Sequence, residues 1–279
     1  MSANEEMIRR LAKDRLAMLG LLIFVAEIIV AVFAPLIAPS DPFAMDFTSM
    51  LSAPSSAHLM GCDEMGRDIF SRIIYGTRYS LGLGISVVVV STIAGTIIGA
   101  IVGYFGGVAD AVIMRIMDVF QSIPSLLQSV VISVVLGTGF FNTLLALSIH
   151  RTVGSARLLR GSIMGMRHME YLEAADALNC SKLRTILKHV LPNSFTPMIV
   201  YATAGIASAI MSASTLSFIG LGIIAPTPEW GAMISSSRNY FIEYPHTVLF
   251  PGLAIAITVF ALSVLGDGLR DALDPKLKN

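Results

Sequence analysis

The segment Glu170–Asn193, EYLEAADALNCSKLRTILKHVLPN, is a polar stretch between long apolar runs. Apolar residues recur at helical spacing over 167–178, which predicts a short helix. Asn179 interrupts the pattern, and Ser181 is a suitable N-cap for a second short helix. Pro192 is expected to end that helix, because proline lacks the N–H that a helix interior requires. The segment therefore predicts two helices joined by a turn.

Two interpretations of this segment are open. A solvated charged loop is the simpler one, since most charge runs are exposed to water. However, Ala174, Ala175 and Ala177 keep the backbone slim and allow a partner to approach closely. We favour a docking element for a partner on the cytoplasmic side.

The composition indicates an integral membrane protein. The chain has 279 residues, 54% hydrophobic and 14% charged, with mean hydropathy +0.75. Soluble domains carry about 25% charged residues. The zero formal net charge argues against a nucleic-acid partner. Cys62 and Cys180 fall on opposite faces of the predicted topology, and no Cys/His spacing resembles a metal site.

Apolar runs long enough to cross a bilayer, about 20 residues each, occur five times. They are Leu16–Ala38, Ser80–Tyr104, Ala111–Leu136, Pro197–Phe218 and Thr247–Leu265. A sixth run, Phe140–Leu159, is apolar only to Ile149 and then carries His150, Arg151 and Arg157. We retain it because the charge distribution requires it. The predicted fold is all-α and polytopic, with six transmembrane helices.

The distribution of Lys and Arg orients these helices. With the N-terminus inside, fifteen of the 19 basic residues are cytoplasmic and four lie outside, which is a clear positive-inside bias. Without the sixth helix, Arg270, Lys276 and Lys278 would lie outside. The first run exceeds the roughly 7–15 apolar residues of a signal peptide, so we expect a retained helix. The predicted parts are a cytoplasmic N-terminus 1–15, a first helix 16–38, an extracytoplasmic segment 39–79, a core 80–275 that contains the polar loop 167–192, and a cytoplasmic tail 276–279.

Two outer loops, Pro39–Tyr79 and Ser217–His246, are expected to meet an external partner. The first is rich in Pro, Ser and Asp, and the second contains several Gly and Pro residues, which favour turns. The single tryptophan, Trp230, lies in the second loop and would suit a membrane–water boundary.

Several motifs make the chain recognisable. Glu173-Ala174-Ala175, a turn residue at Asn179 and Leu191-Pro192 resemble the cytoplasmic signature loop of ATP-binding-cassette (ABC) importer permeases. The usual turn residue there is Gly, but Asn also tolerates the left-handed conformation, so we expect the turn to be kept. Three further motifs resemble the dipeptide, oligopeptide and nickel subfamily, and its C-type permease most of all. They are HLMGCDEMGRD at 58–68 with Ser71-Arg72, SFIGLG at 217–222 with PEWG at 228–231, and GDGLRD at 266–271 with LDP at 273–275.

This resemblance implies a type I importer fold with a cytoplasmic coupling loop, placed in the bacterial inner membrane with both termini cytoplasmic. It implies a homologous second permease, two ATPase subunits that bind ATP and Mg²⁺, and an extracytoplasmic solute-binding protein. The chain itself would need no cofactor. The implied coupling residues are Glu173, Ala174, Ala175, Asn179, Leu191 and Pro192. We expect the binding protein to dock near Asp63, Glu64, Arg67, Asp68, Glu229 and Trp230.

Polar residues within the predicted helices have two interpretations, a translocation path or helix packing. Packing is favoured for most serines and for the glycine series Gly82, Gly84, Gly95, Gly99 and Gly103. The candidate path residues are Gln121, Gln128, Ser129 and Met211, with Pro124 expected to kink the third helix. Arg151 is either a switch residue near the polar loop or a side chain that extends to the membrane surface; we favour the second.

The function predicted is import of di- or oligopeptides, with nickel or metal-chelate import as an alternative for the same machinery. An alternative of another class is an ion-coupled secondary transporter, for which Glu27 is the only clear acidic candidate. The sequence contains no phosphate-binding loop of the G-x-x-x-x-G-K-[ST] type and no catalytic grouping. We therefore expect it not to be an enzyme by itself.

Overall fold

The computed structural model describes residues 9–167 and 169–273, and the regular secondary structure in these ranges is helical, with no strand. The helices are α1 (Arg15–Ile37), α2 (Ile69–Phe105), α3 (Gly107–Ser122), α4 (Ser125–Leu136), α5 (Phe140–Met166), α6 (Glu170–Ala177), α7 (Lys182–Thr185), α8 (Leu191–Ser194), α9 (Thr196–Phe218), α10 (Trp230–Ser237) and α11 (His246–Leu273), with a π-helical turn at Ile186–Val190. The all-α prediction is confirmed. The predicted tail 276–279, residues Asp274 and Pro275 of the last motif, and residues 1–8 of the predicted N-terminus lie outside the described ranges.

Four of these helices, α1, α2, α9 and α11, are long and apolar enough to cross a membrane. The bent pair α3 and α4 makes a fifth span if it is counted as one. Helix α5 has 27 residues, about 40 Å at 1.5 Å per residue, but its composition is too polar for the same criterion. The chain is a multi-pass membrane protein, and the count of six spanning helices stays a prediction.

The break between α3 and α4 lies at Pro124. The two helices meet at 91°, and Ile123 between them is extended, with φ −92° and ψ 127°. A residue before proline is pushed out of the helical region by contact with the proline ring. Proline also has no N–H to continue the helix. The predicted kink is confirmed, and its size makes it a break.

Helices α2 and α5 run parallel and pack closely through glycines. A Cβ on Gly95, Gly99 or Gly103 would crowd the α5 backbone near Ala156 and Arg160. Gly84 packs instead against Ile210 of α9, whereas Gly82 has open space beside it. The packing interpretation of the series is thus confirmed for all but Gly82. Close backbone approach of this kind is how small residues join membrane helices.

The remaining spans complete the bundle in antiparallel pairs. Gly20 of α1 packs on the backbone of α11 at Ala261, and Gly268 of α11 packs on Ala17 of α1. A buried cluster of Leu81, Ala207, Ile210 and Leu262 joins α2, α9 and α11. These contacts place the N-terminal end of α2 and the C-terminal end of α9 at one end of the bundle.

The segment 169–195, called the insert below, lies at the other end of the bundle. After α6, the Cys180 N–H bonds to the Ala175 carbonyl at 3.0 Å, and Asn179 has φ +53°. A left-handed residue followed by this hydrogen bond is a Schellman ending, which usually uses glycine. The expectation that Asn179 keeps the turn is confirmed.

The second half of the insert differs from the sequence prediction. Ser181 precedes α7 as expected, although its side chain makes no capping hydrogen bond. The chain stays helical past Pro192 to Ser194, so the expectation that Pro192 ends the helix is wrong. The reason is the π-helical turn, in which the Leu191 N–H bonds back five residues to the Ile186 carbonyl. The wider turn accommodates the proline ring at the start of α8.

Candidate functional site

The loops at the N-terminal end of α2 are held together by a buried ionic cluster. We call residues 38–68 and 219–245, with the first turns of α2, the lobe. Arg67 donates from Nε to Asp63 Oδ2 at 2.7 Å and from Nη2 to Glu64 at 3.0 Å. Arg72 lies 3.3 Å from the same Asp63 oxygen. The two arginines are 2% and 1% exposed in their side chains, so their charges require these partners.

Arg72 also joins the two outer loops, which are far apart along the chain. Its Nη1 donates to the Pro42 carbonyl at 2.9 Å and to the Pro226 carbonyl at 3.3 Å. Asp68 caps α2 by accepting from the Ser71 N–H at 2.7 Å. The loops therefore form one unit around the start of α2.

Glu229 and Trp230 close the lobe from the other side. Glu229 is fully buried and accepts from the Ala232 N–H at 2.8 Å, as the N-cap of α10. Burial raises the pKa of Glu229 above its ordinary value, against the opposing effect of these hydrogen bonds. Trp230 is also buried, and its Nε1–H donates to the Ile73 carbonyl at 3.2 Å. Trp230 thus packs inside the lobe, and its place at a membrane–water boundary stays a prediction.

The predicted docking residues are mostly interior. Of the six, only Glu64 reaches the surface in part, whereas the other five side chains are buried within the lobe. Those five are Asp63, Arg67, Asp68, Glu229 and Trp230. A buried side chain does not contact a second protein directly. These residues shape the lobe from within, and docking of the binding protein near them stays a prediction.

The insert is anchored to the bundle on one face only. Leu172, Ile186 and Val190 pack in a buried cluster with Leu159 and Ile163 of α5. Just before the insert, the guanidinium of Arg167 donates to the Tyr104 and Phe105 carbonyls and so joins the end of α5 to the end of α2. The insert thus sits directly on the ends of the spanning helices.

Its other face is open. Glu173 and Ala174 are exposed, Ala175 is buried, and Asn179 is exposed at the turn. The remaining predicted coupling residues, Leu191 and Pro192, are half-buried and exposed respectively. Large apolar side chains of the insert are also exposed, namely Met169, Leu178, Leu183 and Leu187. Exposed apolar groups clustered on a polar segment are typical of a protein–protein contact surface.

A cavity of about 450 Å³ lies between α4, α5 and α9. It is lined by Val87, Ser125, Leu126, Ser129, Leu147, His150, Arg151, Tyr201, Ser208, Ala209, Met211, Ser212 and Thr215. Two of the four predicted path residues, Ser129 and Met211, line it. Gln128 lies behind it, with Oε1 2.9 Å from His150 Nδ1, and Gln121 is exposed away from the lining.

Arg151 was missed as a cavity residue by the sequence analysis. It is the twelfth residue of the 27-residue α5, and its guanidinium bonds to the Tyr201 carbonyl and to Ser208 Oγ of α9. Its guanidinium lies 4.7 Å from the Tyr201 ring centroid and lines the cavity. The usable signal was its position in a helix that is polar in the middle, since ionisable residues inside spans usually face a bundle interior.

The other arginines of α5 are paired with carboxylates. Arg157 donates to Asp118 at 2.5 Å, and Arg160 makes two bonds to Asp110 at 2.5 and 2.6 Å. Both pairs join α5 to α3. Asp118, a polar residue of α3, thus contributes to helix packing.

The chain also matches known families and proteins. Residues 95–279 match the family described as "binding-protein-dependent transport system inner membrane component". The chain belongs to this family. Residues 2–54 match the N-terminal TM domain of oligopeptide transport permease C. The resemblance to C-type permeases of ABC importers is therefore confirmed, and the protein is a transport permease.

Individual relatives cover nearly the whole permease. A dipeptide transport system permease protein, DppC, from Alkalihalophilus pseudofirmus is 43% identical over 98% of this chain and 90% of its own. A probable D,D-dipeptide transport system permease protein, DdpC, from Escherichia coli is 42% identical over 91% and 85%. A glutathione transport system permease protein, GsiD, also from Escherichia coli, is 41% identical over 97% and 89%.

Proposed function

We propose that this permease is one of two homologous membrane subunits of an ATP-driven importer for short peptides. The observation that carries the proposal is the insert, which is fixed to the ends of α2 and α5 on one face and exposes acidic and apolar side chains on the other. A spanning helix bundle needs no such surface for itself. A partner that binds there can move the helices as a unit.

The partner proposed for the insert is an ATPase subunit that binds ATP and Mg²⁺. Two such subunits would lie under the two permeases on the cytoplasmic side, where both termini of this chain would also lie. Closure of the ATPases would push the insert, and the α2–α5 pair would move with it. Rigid-body motion of packed helices is a common way to switch a cavity between two openings.

At the opposite end, the lobe is proposed to receive an extracytoplasmic solute-binding protein. Its surface includes exposed apolar side chains such as Phe47, Leu59, Phe241 and Ile242. The buried cluster around Arg72 keeps this surface in one shape. The cavity between α4, α5 and α9 lies along the bundle between the lobe and the insert and is this chain's share of the proposed path.

Peptides are the proposed cargo because the relatives named above transport dipeptides, D,D-dipeptides and glutathione by their names. The cavity has hydroxyl groups and an arginine, which suit the polar groups of a peptide. For metal import, the described residues offer no cluster of three or more His, Cys, Asp and Glu side chains, although a chelated metal would not require one. Glu27, the candidate for ion coupling, bonds to Thr258 at 2.6 Å.

The proposal is tested by uptake into proteoliposomes that contain the permease, its second permease and the ATPases. A labelled dipeptide is supplied outside the vesicles on its binding protein. ATP is enclosed inside the vesicles, on the side of the ATPase subunits. We expect uptake with ATP and none with a non-hydrolysable analogue. Uptake that persists without ATP and stops when ion gradients are dissipated would overturn the proposal in favour of a secondary transporter.

The cargo is identified separately by native mass spectrometry of the binding protein that co-purifies with the complex. Peptide masses are expected. A nickel or metal–chelator mass would instead assign the permease to metal uptake. If neither an ATPase nor a binding protein co-purified, the assignment of the insert as a docking element would fail.

A further inference from the structure

Arg151 is a cationic side chain in the middle of the bundle that has no anionic partner among the described residues. Among the residues that the structure describes, no carboxylate pairs with its guanidinium, and its buried Nε has no hydrogen-bond partner. The same helix supplies the comparison, because Arg157 and Arg160 both have aspartate partners on α3. A charge in a membrane interior is costly unless it is paired or wetted. Of these three arginines, only Arg151 is therefore available to bind an anion from outside the chain.

The guanidinium is nevertheless held in a defined position. Its Nη2 donates to the Tyr201 carbonyl at 2.8 Å, and its Nη1 donates to Ser208 Oγ at 3.3 Å. The Tyr201 ring lies beside it, as in a cation–π contact. Gly205 faces the guanidinium, and any side chain there would overlap it. Helix α9 thus fixes a positive charge at the cavity wall before any ligand arrives.

The surroundings suit a small polar ligand. The cavity volume of about 450 Å³ is within the range of small-molecule sites, roughly 300–1,000 Å³. Hydroxyl groups of Ser125, Ser129 and Thr215 share its wall with the guanidinium. His150 also lines it, oriented from behind by Gln128. Arginine is well matched to carboxylates, because its fork of N–H donors fits their two oxygens.

We infer that Arg151 binds the C-terminal carboxylate of the peptide during its passage through the cavity. The inference rests on the proposed function, and it adds a residue and a chemical group to it. The N–H groups of Nη1 and Nη2 that Ser208 and Tyr201 leave unused supply the donors. The contact with Tyr201 and Ser208 remains, so binding needs no rearrangement of α9. A free carboxylate on the cargo becomes a requirement of the permease itself.

The test compares a dipeptide with its C-terminal amide, each loaded to saturation on the binding protein and checked by native mass spectrometry. Wild-type proteoliposomes are expected to prefer the acid. Arg151→Gln should slow uptake of the acid by about ten- to a hundredfold, the range for loss of a hydrogen bond to a charged group. Uptake of the amide should change little, so the preference for the acid is lost.

Two variants and one assay separate binding from folding. Arg151→Lys keeps the charge and should retain part of the preference for the acid. Arg115→Gln removes an exposed arginine of α3, whose side chain is 83% exposed, and should leave uptake unchanged. ATP hydrolysis stimulated by the loaded binding protein should persist in Arg151→Gln, since neither the lobe nor the insert is altered.

Equal losses for acid and amide in Arg151→Gln would overturn the inference. They would mean that Arg151 only joins α5 to α9, or that the second permease supplies its carboxylate. Wild-type uptake of the acid in that variant would overturn it as well. Failure of the wild type to take up any peptide with ATP would instead overturn the proposed function.

Discussion

At one end of this permease, buried arginines pair with carboxylates and carbonyls inside the lobe. At the other end, about 55 Å away along the 37-residue α2, the insert buries one apolar face and leaves the other open. Leu178 there is 79% exposed. The lobe is therefore a self-contained scaffold, whereas the insert is incomplete without a partner. Mutations in the lobe should therefore lower the stability of the chain, whereas mutations on the open face of the insert should impair its action with the ATPase.

The largest effect is expected from reversing a charge on the open face of the insert. Glu173→Lys should reduce ATP-driven uptake to background without changing membrane insertion, because the exposed carboxylate is proposed to contact the ATPase. Glu170→Lys is the matched control, since Glu170 is exposed in the first turn of the same helix and loses the same favourable interaction with the helix dipole. Wild-type uptake in Glu173→Lys would refute the coupling role.

The corresponding change in the lobe should damage folding. Arg72→Met leaves Asp63 with fewer partners and two carbonyls without a donor, at a cost of about 3–5 kcal/mol of unfolding free energy. Thermal unfolding of the purified chain can be followed by emission of Trp230, the single tryptophan, which lies in the lobe. Arg78→Met, at an exposed position of the same helix, should cost less than about 0.5 kcal/mol. Equal stability of the two variants would contradict the scaffold description.

A third change tests the open apolar face directly. Leu178→Asp should weaken ATPase binding by about ten- to a hundredfold, since a buried leucine contributes roughly 1.5–3 kcal/mol at an interface. The stability of the chain should not change, because Leu178 is exposed. Leu59→Asp alters an exposed leucine of the lobe and should leave ATPase binding intact. Binding assays with the isolated ATPase give both values. Similar binding by both variants would show that the insert is not the ATPase contact.

The smallest effect concerns the pH dependence of the lobe. Since burial raises the pKa of Glu229, the folded state binds its proton more tightly than the unfolded state does. The stability this provides is present below the unfolded pKa and is lost as pH rises through the folded pKa. The free energy of unfolding, followed by Trp230 emission, should therefore rise less on acidification in Glu229→Gln than in the wild type. Glu243→Gln, at an exposed site in the lobe, should leave that rise unchanged. An unchanged profile in Glu229→Gln would refute the burial argument.

Much of the insert could be predicted because its signals are local. Asn179 ends α6 in the left-handed conformation through contacts with its own turn. Outside the insert, Pro124 breaks a helix through its own ring in the same local way. Pro192 shows the limit of this approach. Its ring is accommodated by a π-helical turn that forms where Ile186 and Val190 pack into the bundle. The expectation that proline ends a helix considers only the proline itself and does not include that packing.

The docking and path residues show the same limit. Glu229 was predicted near the binding-protein contact, yet its carboxylate lies inside the lobe against Ser80 of α2 and Ser214 of α9. Arg151 was expected to extend to the membrane surface, and it lies in the cavity because Gly205 of α9 leaves space for it. Neither outcome is visible from the neighbours of these residues along the chain.

The amino-acid sequence alone determined the membrane class, most of the spans, the break at Pro124 and the turn at Asn179, since apolar length and backbone preference act over a few neighbouring residues. Tertiary structure decided which charges are buried and which remain unpaired. Arg72 and the Pro226 carbonyl are 154 residues apart, and Arg151 and the Tyr201 carbonyl are 50 apart. Such pairs form only when the packed helices bring them together, because the cost of burying each charge is met by groups far away in the chain.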